Sequence, residues 1–180
     1  NENEHSAIVI ANSVKKVSPW LNIVVQNENI KMMNKILITG GSGFIGTNLI
    51  EALRKTDAEI LNIDIREPKL ENHRKVWKNV DIREKDSLME FVRDFQPEYV
   101  IHLAARTDLN GKALKDYDAN MQGVTNLLDA LEQVKNLKRA VFASSMYVCE
   151  PGYMPKNFED YAPHTLYGES KVETEKIDRK

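Results

Sequence analysis

Cysteine is all but missing from this 180-residue chain, where Cys149 stands alone. An intramolecular disulfide is excluded, and with no His/Cys cluster near it a structural zinc site has no ligand set. An excess of one charge is missing too. The 25 basic residues face 27 acidic ones, for a net charge of −2. That balance carries no nucleic-acid footprint and no patch for an anionic membrane. No apolar run approaches the roughly 18 residues of a membrane span. No basic start followed by an apolar core marks a secretory leader. Together these absences point to a cytoplasmic protein with no metal, nucleic-acid or membrane partner. The length suits one domain with a sizeable core.

Glycine is scarce as well, at eight residues, and its placing matters more than its number. Ile36, Leu37 and Ile38 form a short apolar run that reads as a buried strand. Gly40, Gly43 and Gly46 follow it, and then Phe44, Ile45, Leu49, Ile50 and Leu53 recur at helical spacing. The glycines therefore occupy a turn from strand to helix. A turn without side chains lets a diphosphate approach the backbone, and the N–H groups and dipole at the helix start favour its charge. A dinucleotide fingerprint also needs an acid about 20 residues on, after a second strand. The strand at 59–63 and Asp64 meet that need. Asp64 would accept hydrogen bonds from the adenosine ribose and repel a 2′-phosphate, which favours NAD over NADP. Arg66 close by acts against that preference.

Strands and helices then alternate. A helix runs to about residue 55, a polar connection covers 66–74, and a third strand is expected over 76–80. A helix over 85–95 carries Leu88, Phe91, Val92 and Phe95 on one face and is ended by Pro97. A fourth strand spans 99–103. A long helix is expected over 112–134, with two apolar stripes, one of them containing Asn120. So wide an apolar face implies burial deep in its own domain or against another subunit. A fifth strand over 139–143 ends in Ser144 and Ser145, a Pro/Gly-containing loop covers 150–164, and a last helix begins near Thr165. This order implies an α/β fold: a Rossmann-like, doubly wound parallel sheet. Residues 1–34 do not fit the pattern and read as an extension of undetermined role.

Three residues in the last third carry chemistry. Ser145 stands at the carboxyl end of a strand, where open α/β sheets place ligands. Tyr167 and Lys171 are four apart and share a helix face. A free phenol has a pKa of about 10. A neighbouring ammonium and an oxidised nicotinamide both favour the phenolate. Tyr167 would then take a proton from a substrate hydroxyl while Ser145 hydrogen-bonds the same oxygen.

From residue 35 onward the chain resembles the extended short-chain dehydrogenase/reductases, which include NAD-dependent sugar epimerases and dehydratases. The resemblance rests on Thr39-Gly40-Gly41-Ser42-Gly43-Phe44-Ile45-Gly46, Asp64, Asp81-Ile82, His102-Leu103-Ala104-Ala105, Asn120 with Gly123, Ser144-Ser145 and Tyr167-Gly168-Glu169-Ser170-Lys171. It implies NAD as cofactor, with Asp81 and Ile82 bordering the adenine and Leu103, Ala104 and Ala105 lining the cofactor groove. It implies that Asn120 maintains the site and that Lys171 also binds the nicotinamide ribose. It further implies a nucleotide-sugar substrate and a homodimer built from the helices at 112–134 and 165–180. Two departures are visible. Cys149 and Glu150 stand where the family usually has Tyr and Gly. Met146 and Tyr147 stand where sugar dehydratases carry acid/base groups, which argues for epimerisation or simple redox rather than elimination of water. The family's substrate domain comes mostly after the Tyr-Lys helix, so the chain is expected to lack most of it. A non-catalytic NAD-binding regulatory module is the alternative reading.

Overall fold

A computed structural model describes residues 34–179; the expected extension at 1–34 falls almost wholly outside them. Five strands form one parallel sheet: β1 (Lys35–Thr39), β2 (Glu59–Asp64), β3 (Trp77–Asn79), β4 (Tyr99–His102) and β5 (Arg139–Phe142), in the order β3-β2-β1-β4-β5. Among the described residues four α-helices accompany them: α1 (Phe44–Leu53), α2 (Lys85–Phe95), α3 (Asp118–Leu131) and α4 (Leu166–Asp178). The expected doubly wound parallel sheet is what the chain forms.

The alternation along β1 builds three layers. Ile36 and Ile38 point to one face, where Ile50 and Leu53 of α1 and Ile60 of β2 cover them. Leu37 points to the other face, among Leu88 and Val92 of α2 and Leu127, Ala130 and Leu131 of α3. A strand buried on both faces reads as a continuous apolar run, which is the pattern of residues 36–38. The strand order reverses direction at β1, whose neighbours are β2 and β4. The carboxyl ends of β1 and β4 thus flank the crevice where such sheets bind ligands.

Several boundaries differ from the sequence expectation. The long helix is shorter: α3 starts at Asp118, preceded by a 3₁₀ turn over Leu114–Tyr117, and ends at Leu131. Its wide apolar face is largely covered within the chain, with Tyr117, Val124, Leu127 and Leu131 buried and α4 packed beside it. None of the exposed large hydrophobic side chains among the described residues lies on α3 or α4. The third strand is only three residues long, because residues 71–76 wind into a 3₁₀ helix that buries His73 against Glu51 of α1, Nε2 to Oε1 2.7 Å. α2 ends as expected, but its stop is Gln96 in the left-handed conformation at φ 50°, one residue before Pro97. Among the described residues no helix is long and apolar enough to cross a membrane.

Candidate active site

The glycine turn after β1 is a backbone cradle. Gly40 has φ +73°, and a Cβ there would stand 2.6 Å from the Ala104 amide nitrogen, so β1 and the segment after β4 meet only because no side chain intervenes. A Cβ on Gly46 would stand 2.4 Å from the Gly41 Cα, so the first turn of α1 folds directly onto the loop. Gly43 caps α1 without a side-chain bond, and the first turn holds no acidic residue. The helix start therefore offers backbone N–H groups and a positive dipole end to an anion. Phe44 is 73% exposed at this helix start.

Two polar side chains of β2 hold the turn in shape. Asn62, fully buried, accepts from the Gly41 amide at 3.0 Å and donates to Ser42 Oγ at 3.3 Å. Asp64 accepts from the Ser42 amide at 3.0 Å and from the Arg66 amide at 2.9 Å, one bond to each oxygen. Each oxygen keeps a further lone pair, so the carboxylate can both brace the loop and receive a hydroxyl. The Arg66 guanidinium reaches back to the glycine turn, 3.6 Å from where a Gly43 Cβ would stand. Asn62 is a site residue that sequence reasoning missed; a lone amide among Ile60, Leu61 and Ile63 was its signal.

The side of the crevice after β3 and β4 is fixed by α3. Asp81 grips the Arg83 guanidinium, Arg83 Nη2 to Asp81 Oδ2 2.6 Å, which holds its carboxyl below the usual range. Ile82 is buried. Asn126, also missed in the sequence, donates to the Ile82 and Arg83 carbonyls at 3.0 Å each and ties that corner to α3. Asn120 pairs with the Arg106 backbone in both directions, accepting from its amide at 2.7 Å and donating to its carbonyl at 3.0 Å. Leu103, Ala104 and Ala105 lead into that bridge from the end of β4. Asn120 also donates to Ser170 Oγ of α4 at 2.8 Å. It therefore joins the loop after β4 to the helix that carries Tyr167 and Lys171.

α4 is set by Thr165, whose hydroxyl accepts from the Gly168 amide at 3.0 Å. A Cβ on Gly168 would stand 2.2 Å from the Tyr147 carbonyl oxygen. Glycine there lets α4 press onto the 3₁₀ turn Met146–Val148 that follows Ser145. That contact brings the Ser145 hydroxyl beside the Tyr167 phenol. Burial pushes the Tyr167 phenol up, Ser145 pulls it part of the way back, and the nearby Tyr147 and Tyr117 add to the rise. Lys171 is buried, its Nζ donates to the Ala143 carbonyl at 2.7 Å, and burial lowers its own pKa to about 8. His102 lies in the same region. It is fully buried, with Nδ1 2.7 Å from Thr39 Oγ1, and burial followed by the Lys171 charge lowers it to about 3.

The structure thus gathers a glycine cradle, an acid at the end of β2 and a Ser-Tyr-Lys group around the carboxyl ends of the strands. A model of the NAD dependent epimerase/dehydratase family matches residues 36–180. The chain belongs to this family. NAD is the cofactor of the family, and the side-chain-free cradle at Gly40 and Gly46 fits a diphosphate on backbone N–H groups. An uncharacterized epimerase/dehydratase of Staphylococcus aureus (strain USA300) is 33% identical over 153 residues, which are 78% of this chain and 46% of that protein. The chain spans about half the length of the curated relatives it matches. Among solved structures, the Bordetella bronchiseptica enzyme WbmG in complex with NAD is 29% identical with a TM-score of 0.71, over 83% of this chain and 50% of that one. The UDP-glucose 4-epimerase of Thermus thermophilus, in complex with NAD, is 28% identical with a TM-score of 0.68, over 81% and 50%.

Proposed function

We propose that this chain is the cofactor-binding and proton-transfer half of an NAD-dependent epimerase acting on a nucleotide sugar. The observation that carries the reading is the Ser145 hydroxyl beside the buried Tyr167 phenol, one helical turn from buried Lys171. The similarity to a UDP-glucose 4-epimerase supports the substrate class.

In this reading Gly40, Gly43, Phe44, Ile45 and Gly46 hold the diphosphate of NAD through backbone N–H groups. Asp64 holds the adenosine ribose, Asp81 and Ile82 border the adenine, and Leu103, Ala104 and Ala105 wall the groove. Asn120 keeps that wall in register with α4. NAD, when bound, supplies the hydride acceptor and the positive charge of its nicotinamide. Tyr167 takes the proton from a sugar hydroxyl, and Ser145 donates a hydrogen bond to the same oxygen as its charge grows. Lys171 holds the nicotinamide ribose and opposes, through its ammonium, the rise that burial imposes on the phenol. Neither Met146 nor Tyr147 offers a carboxylic acid beside Ser145, which supports a redox or epimerase cycle over elimination of water. The helices α3 and α4 are the proposed dimer contact.

The test is a Tyr167→Phe exchange in the whole protein, assayed on a panel of UDP- and dTDP-sugars with NAD⁺ binding followed by calorimetry. Turnover is expected to fall at least ~100-fold while NAD⁺ affinity is retained. Undiminished turnover overturns the assignment and supports a module that binds cofactor without catalysis.

A further inference from the structure

Glu175 lies one turn beyond Lys171 on α4, on the side away from Tyr167. Its carboxylate is bound from three directions. One oxygen takes the Ser144 hydroxyl in a short hydrogen bond. The other takes the Tyr161 hydroxyl at 2.8 Å and the Arg179 guanidinium at 2.7 Å. Arg179 also donates to the Phe158 carbonyl at 3.0 Å and lies over the Phe158 ring, 5.0 Å from its centre. The loop reached through Tyr161 and Phe158 is itself tied to the Ser145 turn. Glu150 donates to the Ala162 carbonyl at 2.7 Å, and Ala162 donates to the Val148 carbonyl at 3.0 Å. The connections close a ring: α4, Ser144, Ser145, the 3₁₀ turn, Ala162, Tyr161 and back to α4.

Ser144 and Ser145 are adjacent, and Ser145 has extended backbone at φ −145° and ψ 151°. Neighbouring side chains of an extended segment point in opposite directions. Tyr167 and Glu175 are eight residues apart, about 12 Å along the axis of α4. A strand end crossing that helix therefore presents one serine to each. Holding Ser144 at Glu175 decides which way Ser145 faces.

We propose that Glu175 is a positioning residue that, through Ser144, keeps the Ser145 hydroxyl on the Tyr167 phenol and fastens the 150–164 loop to the same helix. The proposal rests on the reading of Ser145 and Tyr167 as the proton-transfer pair, but it concerns a contact and is measurable without turnover. Burial and Glu175 push the Tyr161 hydroxyl up to about 12, so it stays a donor through the neutral range. The groups facing the Tyr167 phenol are Ser145, Tyr147 and Tyr117, and Glu175 reaches it only through Ser144.

The experiment labels tyrosine at ¹³Cζ and assigns the Tyr167 resonance by its loss in Tyr167→Phe. Ser145→Ala is expected to displace that resonance by removing the neighbouring hydroxyl. Glu175→Ala and Ser144→Ala are each expected to displace it in the same direction, and the double variant Glu175→Ala/Ser145→Ala no further than Ser145→Ala alone. Glu175→Gln, which keeps an acceptor for Ser144, is expected to restore most of the native position. NAD⁺ affinity is expected to stay within ~2-fold throughout, since the cradle is untouched. Ser144→Ala removes a single hydroxyl and decides the matter if Glu175→Ala does not fold. A Tyr167 resonance unmoved in folded Glu175→Ala or Ser144→Ala overturns the proposal, as do displacements that add in the double variant. Loss of the functional reading shows itself separately, as undiminished turnover in Tyr167→Phe.

Discussion

Lys171 Nζ donates a 2.7 Å hydrogen bond to the carbonyl oxygen of Ala143, the residue directly after β5. The bond carries an ammonium ion into a site where only 3% of the lysine remains exposed. Burial brings its pKa from 10.5 to about 8. The charged form is thus penalised at neutral pH by ~3 kcal/mol, at ~1.4 kcal/mol per pH unit. Because the folded value lies below the unfolded one, stability contributed by this group rises with pH between about 8 and 10.5. Lys171→Met removes the penalty but leaves the Ala143 carbonyl without its donor, at about 1 kcal/mol or more. The expected outcome at pH 7 is a chain more stable by ~1–2 kcal/mol, read as a raised urea midpoint, together with loss of turnover in the whole protein. A destabilised Lys171→Met chain would contradict the balance.

His102 provides a second pH effect. Its folded pKa of about 3 lies below the ordinary 6.5. Below pH 6.5 the unfolded chain binds a proton that the folded chain refuses, so stability contributed by this group falls as pH drops from 6.5 towards 3. The slope from this residue is up to ~1.4 kcal/mol per pH unit. Urea midpoints at pH 7, 6 and 5 should decline in the native chain. His102→Asn, which can still accept from Thr39, should decline less steeply. Equal slopes would mean that His102 is protonated in the folded state.

The cradle makes a prediction of its own. Gly40→Ala must hold a side chain at φ +73° and 2.6 Å from the Ala104 amide. The left-handed conformation alone costs about 1–2 kcal/mol, and the clash sits where β1 meets the segment after β4. We expect a loss of more than ~2 kcal/mol in stability and calorimetric titration with no measurable NAD⁺ binding.

Asp64→Asn separates the two tasks of that carboxylate. The amide oxygen can keep one loop bond, so the fold should lose only ~1 kcal/mol. The charge that opposes a 2′-phosphate is gone, while Arg66 remains beside the glycine turn. NAD⁺ affinity is expected to fall ~10-fold, with NADP⁺ affected less, so the ratio of the two dissociation constants narrows. An unchanged ratio would show that Asp64 serves the loop alone.

Much of this architecture was legible before any coordinates. The apolar run at 36–38 and the glycines behind it can form little else than a buried strand turning into a helix, because a strand covered on both faces must be apolar throughout and a helix pressed onto its own turn must begin without side chains. The four-residue spacing of Tyr167 and Lys171 likewise places them on one helix face whatever surrounds it. The supports around them were not legible. Asn62, Asn126 and Glu175 act across 21, 44 and 31 residues of chain, on Gly41, Ile82 and Ser144, and no local pattern marks a partner so distant. Nor could sequence show how deeply the Tyr167 phenol is buried, and that burial is the largest influence raising it. Local periodicity and turn chemistry determine the elements and the residue types at their ends. Packing alone decides which buried polar groups meet and how strongly desolvation shifts them, because both depend on neighbours brought together only in the folded chain.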